Sequence, residues 1–107
     1  MANSIQYHMS MAGNGSRTVS SPGTAMQLST TSVPAQWVYV TALHINTGII
    51  TCGISTTLAA TTGPRAGIAL DKGVSALVPC NDLNAVYVDA TVATEGISYV
   101  YYNANIP

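Results

Sequence analysis

Apolar and polar side chains alternate at the start of the chain, and a polar stretch follows. In residues 5–11 every second position is apolar, namely Ile5, Tyr7, Met9 and Met11. A period of two is typical of a strand with one buried face. Residues 12–23 are rich in Gly, Asn, Ser and Pro and lack this period, so they predict a loop or an extended arm.

Seven more segments have the composition and length of strands. The clearest is 37–43, where β-branched and aromatic residues predominate. Between 67–70 and 74–78, Asp71–Gly73 predicts a tight hairpin turn in which the glycine adopts a positive φ. After the first strand, the predicted strands are 26–28, 37–43, 49–52, 67–70, 74–78, 85–92 and 97–102.

Short strands at roughly 8–12-residue spacing indicate an all-β fold. We predict one small antiparallel β-sandwich or jelly-roll-like barrel of about seven or eight strands, with an N-terminal arm. Residues 1–25 form the N-terminal strand and arm, and residues 26–107 form the sandwich domain. Two roles stay open for the N-terminal segment: it adds a strand to a neighbouring molecule, or it is the first strand of its own sandwich.

Charge is scarce along the whole chain. The 107 residues include three Lys and Arg and four Asp and Glu, which is 7% charged residues, against ~25% in ordinary soluble domains. Three basic side chains cannot neutralise enough phosphates for general nucleic-acid binding. A hydrophobic fraction of 48% contradicts intrinsic disorder. Because charge keeps proteins apart in solution, we infer that this chain works while docked onto a partner.

No targeting or membrane segment is expected. The longest apolar runs fall short of the ~18 residues that a membrane-spanning helix requires. The N-terminus has neither the basic region nor the apolar run of a secretory signal, so we predict that it is not one. If the chain is made and assembled in a cytosol, its thiols are expected to be reduced.

The candidate reactive side chains do not form a recognisable catalytic or metal-binding pattern. His8 and His44 lack a second histidine or a carboxylate at metal-ligand spacing. Cys52 and Cys80 lie outside any CxxC pattern, and three interpretations stay open: small buried hydrophobes, one disulfide between strands, or a nucleophile. We therefore predict a protein that is not an enzyme, with no catalytic residue, metal or cofactor.

The acidic side chains are interpreted structurally. Asp71 and Asp82 occur in predicted turns, where carboxylates bond to nearby backbone. Asp89 alternates with valines on a predicted strand, and Arg65 and Lys72 are its candidate partners. No pair of carboxylates suggests acid–base catalysis.

Tyrosines are concentrated in the last two predicted strands. An aromatic surface stacks sugars or bases, and tyrosine is also enriched at protein interfaces. With three basic residues, we favour the protein interface. The candidate interface residues are Ile5, Tyr7, Met9, Met11, Trp37, Tyr99, Tyr101 and Tyr102.

From Trp37 onward, strands and turns follow in the order WVYVTAL, NTG, GIAL, NDL, VYVDA and EGISY, with single glycines at Gly53 and Gly73. This layout resembles that of small structural proteins on the heads of tailed bacteriophages. The resemblance implies a capsid cement or decoration protein, a homo-oligomer with a trimer favoured. It implies that the protein is assembled in the host cytoplasm, binds the major capsid protein at the capsid surface and stabilises the head, without catalysis or cofactor. The N-terminal segment lies outside the resemblance.

Two alternatives stay open. One is another part of the same virion, namely a head–tail connector, a tail component or a fibre module. The other is a carbohydrate-binding module that uses Trp37 and the C-terminal tyrosines as a platform.

Overall fold

The chain folds entirely into strands and turns wherever its structure is described. A computed structural model describes residues 8–58 and 66–105, with side chains for 11–58 and 66–103. The predicted all-β fold is confirmed. The elements are β1 (His8–Val19), β2 (Met26–Gln27), β3 (Trp37–Ala42), β4 (Ile50–Gly53), β5 (Ile68–Leu70), β6 (Ser75–Pro79), a 3₁₀ turn (Leu83–Ala85), β7 (Tyr87–Ala90) and β8 (Glu95–Asn105).

Two antiparallel four-stranded sheets make up the sandwich. The first sheet has the strand order β1-β8-β3-β6, and the second sheet has the order β2-β7-β4-β5. First and last strands are therefore neighbours, as are β2 and β7, β3 and β6, and β4 and β5. This nested pairing, divided between two sheets, is the strand order of an eight-stranded jelly roll.

The core lies between the sheets and comes from alternate residues of each strand. In β3, Val38, Val40 and Ala42 are fully buried, whereas Tyr39 between them is 44% exposed. β8 contributes Ile97, which lies opposite Ala42 and is also fully buried. Each such Val or Ile contributes about 1.5–3 kcal/mol through burial, so these alternating positions fix which face of the first sheet is internal.

β1 is longer than the sequence predicts. Residues 12–19, expected to be loop or arm, continue the strand, and they pair with β8 from Gly13 opposite Tyr101 to Val19 opposite Glu95. The loop prediction for this part was wrong. The register shifts between Met11 and Gly13, where Ala12 is the extra residue of a bulge.

Two tyrosines of β8 explain why a glycine-containing segment forms a strand. Tyr101 lies over Gly13 and Tyr99 lies over Gly15, in the space that a Cβ on either glycine would fill. Both rings also pack against the core. Glycine alone offers a strand no side chain to pack, and aromatic rings from the neighbouring strand supply that packing. The residues that make this glycine-containing segment a strand therefore lie in β8, far away in the sequence.

The β1–β8 pair continues beyond the rest of the first sheet. β3 reaches only Tyr102 of β8, whereas β1 and β8 stay paired out to His8 and Asn105. This ribbon continues for three residue pairs beyond β3, from Ser10 opposite Asn103 to His8 opposite Asn105. Residues 8–19 are thus a strand of the chain's own sandwich, whereas residues 1–7 lie outside the described residues.

Candidate functional site

The outer face of the first sheet presents three rows of side chains across four strands. Residues directly opposite on antiparallel strands lie on the same face. Trp37 lies opposite both Tyr102 and Pro79, and Tyr102 lies opposite Met11. These four side chains, which are apolar or aromatic, form what we call the aromatic row.

Two further rows follow along the strands. The middle row contains Asn14, Val100, Tyr39 and Leu77, and the hydroxyl row contains Ser16, Ser98, Thr41 and Ser75. None of the twelve side chains in the three rows carries charge. Large apolar groups among them are well exposed: Met11 60%, Tyr39 44% and Leu77 49%. This set of three rows is the docking face referred to below.

The predicted interface residues fall into three groups. Met11, Trp37 and Tyr102 come together in the aromatic row. Tyr99 and Tyr101 point to the other side of the sheet, where their ring centroids are 6.3 Å apart and they pack against the core. Trp37 therefore shares its face with Tyr102 and not with the other two tyrosines.

The remaining predicted residues lie where side chains are not described. Met9 is placed by its backbone, opposite Ala104 in the ribbon. Ile5 and Tyr7 lie outside the described residues.

Sequence reasoning missed Tyr39, Leu77, Val100 and Asn14, which form the middle row. The signal for Tyr39 was the alternation in 37–43, since Trp, Tyr and Thr occupy one set of positions and Val, Val and Ala the other. Asn14 was missed because its segment was assigned to a loop.

A hollow of about 270 Å³ opens on this face between the middle and hydroxyl rows. Its lining comes from β1, β8 and β3. The hydroxyl oxygens of Thr41 and Ser75 are 2.7 Å apart, and Ser98 Oγ donates to the Thr41 carbonyl at 3.5 Å. The lining side chains are Asn14, Tyr39, Thr41, Ser98 and Val100, completed by Gly15 and Tyr99.

Two carboxylates hold turns together away from the docking face. Hydrogen bonds from Ser32 Oγ and from the backbone N–H groups of Asn84 and Val33 lower the pKa of the Asp82 carboxyl. This confirms the expected bond from Asp82 to turn backbone. Hydrogen bonds, foremost from the Thr47 N–H, similarly lower the pKa of the Glu95 carboxyl.

Asp89 is fully buried on the outer side of the second sheet. Its carboxylate accepts hydrogen bonds from the backbone N–H groups of Gly23, at 3.2 Å, and Ala90, at 2.9 Å. Of its two candidate partners, Arg65 lies outside the described residues, and Lys72 occupies the exposed turn after β5.

Both cysteines are free thiols. Cys52 is fully buried in the core, and Cys80 packs against the same core. Burial, together with the nearby Cys80, raises the pKa of the Cys52 thiol to about 12. Burial also raises the pKa of Cys80. Because the thiolate is the reactive form, these surroundings favour the interpretation of Cys52 as a small hydrophobe.

Within residues 8–58 and 66–105, no group of three or more His, Cys, Asp or Glu side chains is placed to hold a metal ion. In the same part of the chain, no helix has the length and apolarity needed to cross a membrane. The outer face of the first sheet is the candidate site, because large apolar side chains are exposed there. Comparison with protein-family models, curated proteins and solved structures finds no match to this chain.

Proposed function

We propose that this chain is a non-enzymatic structural protein of a phage virion, a capsid cement or decoration protein. It binds major capsid subunits at the capsid surface through the docking face and stabilises the head. The observation that carries this proposal is the absence of charge from all twelve side chains of that face, combined with 44–60% exposure of Met11, Tyr39 and Leu77.

Exposed apolar surface of this kind favours a protein partner. Contiguous apolar patches on a soluble protein mark interaction sites, and Trp, Tyr and Met are enriched at interfaces. Burial of Trp37, Tyr102 and Met11 against a partner removes apolar area from water. The uncharged rows add no desolvation penalty for ions.

The size of the docking face favours many weak contacts rather than one strong contact. Four strands about 4.8 Å apart and three rows about 6.8 Å apart give a face of roughly 400 Å². A stable pairwise complex usually buries about 800 Å² per partner. We therefore propose a homo-oligomer, with a trimer favoured, in which several docking faces bind one shell together and gain affinity by avidity.

The fold is consistent with this role without selecting it. Double-sheet jelly rolls occur in viral capsid domains and also in lectins and cupins. Because one fold hosts many functions, the docking face and not the strand topology supports this role.

The test is a count of this chain in purified particles, together with a charge-insertion variant. We expect about one copy per capsid subunit, and we expect Leu77→Glu to lose particle binding while its melting temperature stays near that of the wild type. Ile45→Glu is the matched control, because Ile45 is 71% exposed and lies off the docking face. A low copy number suited to the neck or tail, or full binding by Leu77→Glu, would overturn the proposal.

A further inference from the structure

The hollow in the docking face has the size and chemistry of a small ligand site. It lies between the middle and hydroxyl rows, toward the β1 side of the first sheet. We propose that it binds one ring of a neutral carbohydrate. The hollow lies within the docking face and shares Tyr39 with it, but the sugar proposal is tested on the free chain and does not depend on a role in a virion.

The volume of the hollow is on the scale of a single ring. At about 270 Å³, the hollow is slightly smaller than the 300–1,000 Å³ typical of sites for drug-sized molecules. An α-helix with its side chains is about 10–12 Å across and does not enter such a space. A single pyranose ring or a molecule of similar size is the scale of ligand that fits.

The lining offers both kinds of contact that a sugar makes. Tyr39, which is 44% exposed, supplies an aromatic ring on which the C–H groups of a pyranose can stack. Asn14, Thr41 and Ser98 carry amide and hydroxyl groups, which donate and accept hydrogen bonds as sugar hydroxyls do. The 2.7 Å bond between the Thr41 and Ser75 hydroxyls orients one of the lining groups in advance.

The absence of charge excludes other ligand classes. No Lys, Arg, His, Asp or Glu side chain lines the hollow. A phosphate, nucleotide or ammonium group would lose water there without gaining a counter-charge, which is costly. A peptide strand is also disfavoured, because the hollow opens on the face of the sheet and not along the outer edge of β1 or β6, its two edge strands. Peptides that extend a sheet need a free strand edge.

The experiment uses the full chain and starts from a glycan array, followed by titration with the methyl glycosides of glucose, galactose and N-acetylglucosamine. Backbone amide shifts in ¹H–¹⁵N spectra report the site. We expect saturable binding of at least one neutral sugar, with shifts at Asn14, Tyr39, Thr41 and Ser98. Glucuronic acid, the charged probe, is expected to bind at least tenfold more weakly.

Variants locate the site. Tyr39→Ala and Asn14→Ala are each expected to weaken binding roughly five- to tenfold, the loss that one stacking or hydrogen-bond contact produces. Ile45→Ala changes a residue that is 71% exposed and lies off the docking face, so this variant is expected to bind sugar as the wild type does. Asn14 is exposed, so its variant keeps the test valid if Tyr39→Ala unfolds.

Two results would overturn this proposal: no saturable binding of any neutral sugar, or binding that both Tyr39→Ala and Asn14→Ala leave unchanged. Neither result bears on the particle count or on Leu77→Glu. Conversely, if the chain is absent from purified particles, the sugar titration still tests the hollow. Each experiment can therefore refute one proposal without refuting the other.

Discussion

Gly15→Ala is expected to destabilise this protein, although alanine is ordinarily the better residue in a strand. A Cβ on Gly15 would lie 2.6 Å from Tyr99 Oη and 2.7 Å from Tyr99 Cζ, closer than the 3.0 Å that real Cβ contacts respect. The tyrosine ring must therefore move away from the glycine. It then gives up part of its packing against the core.

Two opposing terms set the magnitude. Replacing glycine by alanine at a compatible site stabilises a protein by about 0.4–1 kcal/mol, because the unfolded chain loses freedom. Overpacking costs about 1–3 kcal/mol. The net expectation is a loss of roughly 1–2 kcal/mol, and each kcal/mol lowers the melting temperature of a domain of this size by about 4–8 °C.

The assay is urea and thermal unfolding of four proteins: the wild type, Gly15→Ala, Tyr99→Ala and the double variant. Once the ring is absent the new methyl group has room, so the double variant should be more stable than the sum of the single effects predicts, by about 0.5–3 kcal/mol. Ser16→Ala, on the outer face next in the chain, is the control and should change stability by less than about 0.5 kcal/mol. Stabilisation by Gly15→Ala, or additive effects, would refute the covering of Gly15 by Tyr99.

Three other outcomes are expected. Ile97→Ala, at a fully buried position, should cost about 2–5 kcal/mol in urea unfolding, and a cost below ~1 kcal/mol would contradict the core assignment. The lowered pKa values of Asp82 and Glu95 in the folded state mean that their stabilisation is complete above their ordinary values of 3.8 and 4.5 and is lost as the pH falls further. In a plot of melting temperature against pH, Asp82→Asn and Glu95→Gln should therefore reduce the fall in melting temperature at acid pH. A fall as steep as that of the wild type would contradict the hydrogen bonds described. In the native protein near neutral pH, a thiol reagent should label Cys80 well before Cys52, since Cys52 is fully buried with a pKa of about 12; equal labelling rates would argue against its burial.

The sequence by itself determined the strands that depend on local signals. Residues 37–42 form β3 as predicted, because alternating β-branched and aromatic side chains suit a pleated strand. The turn at Asp71–Gly73 is also confirmed, with Gly73 at a φ of 77°. The predicted hairpin is wrong, because β5 and β6 belong to different sheets and pair with β4 and β3 instead. Side-chain period and backbone sterics act over a few residues, so both are present in the sequence itself.

Part of the candidate site was also predictable. Met11, Trp37 and Tyr102 were selected as exposed apolar or aromatic residues, and they lie side by side in the aromatic row. Asn14 and Tyr39 were not selected, because a strand pattern shows two alternating sets without showing which set faces the core.

Only the tertiary structure decided the remaining features, because they depend on pairs of residues far apart in the chain. Gly13 and Gly15 form a strand since Tyr101 and Tyr99 lie across from them in β8. The register of β8 against β3 turns Tyr102 outward and Tyr99 inward. Shifting a register by one residue exchanges the two faces of a strand, so the composition of the docking face follows from strand pairing rather than from any local pattern.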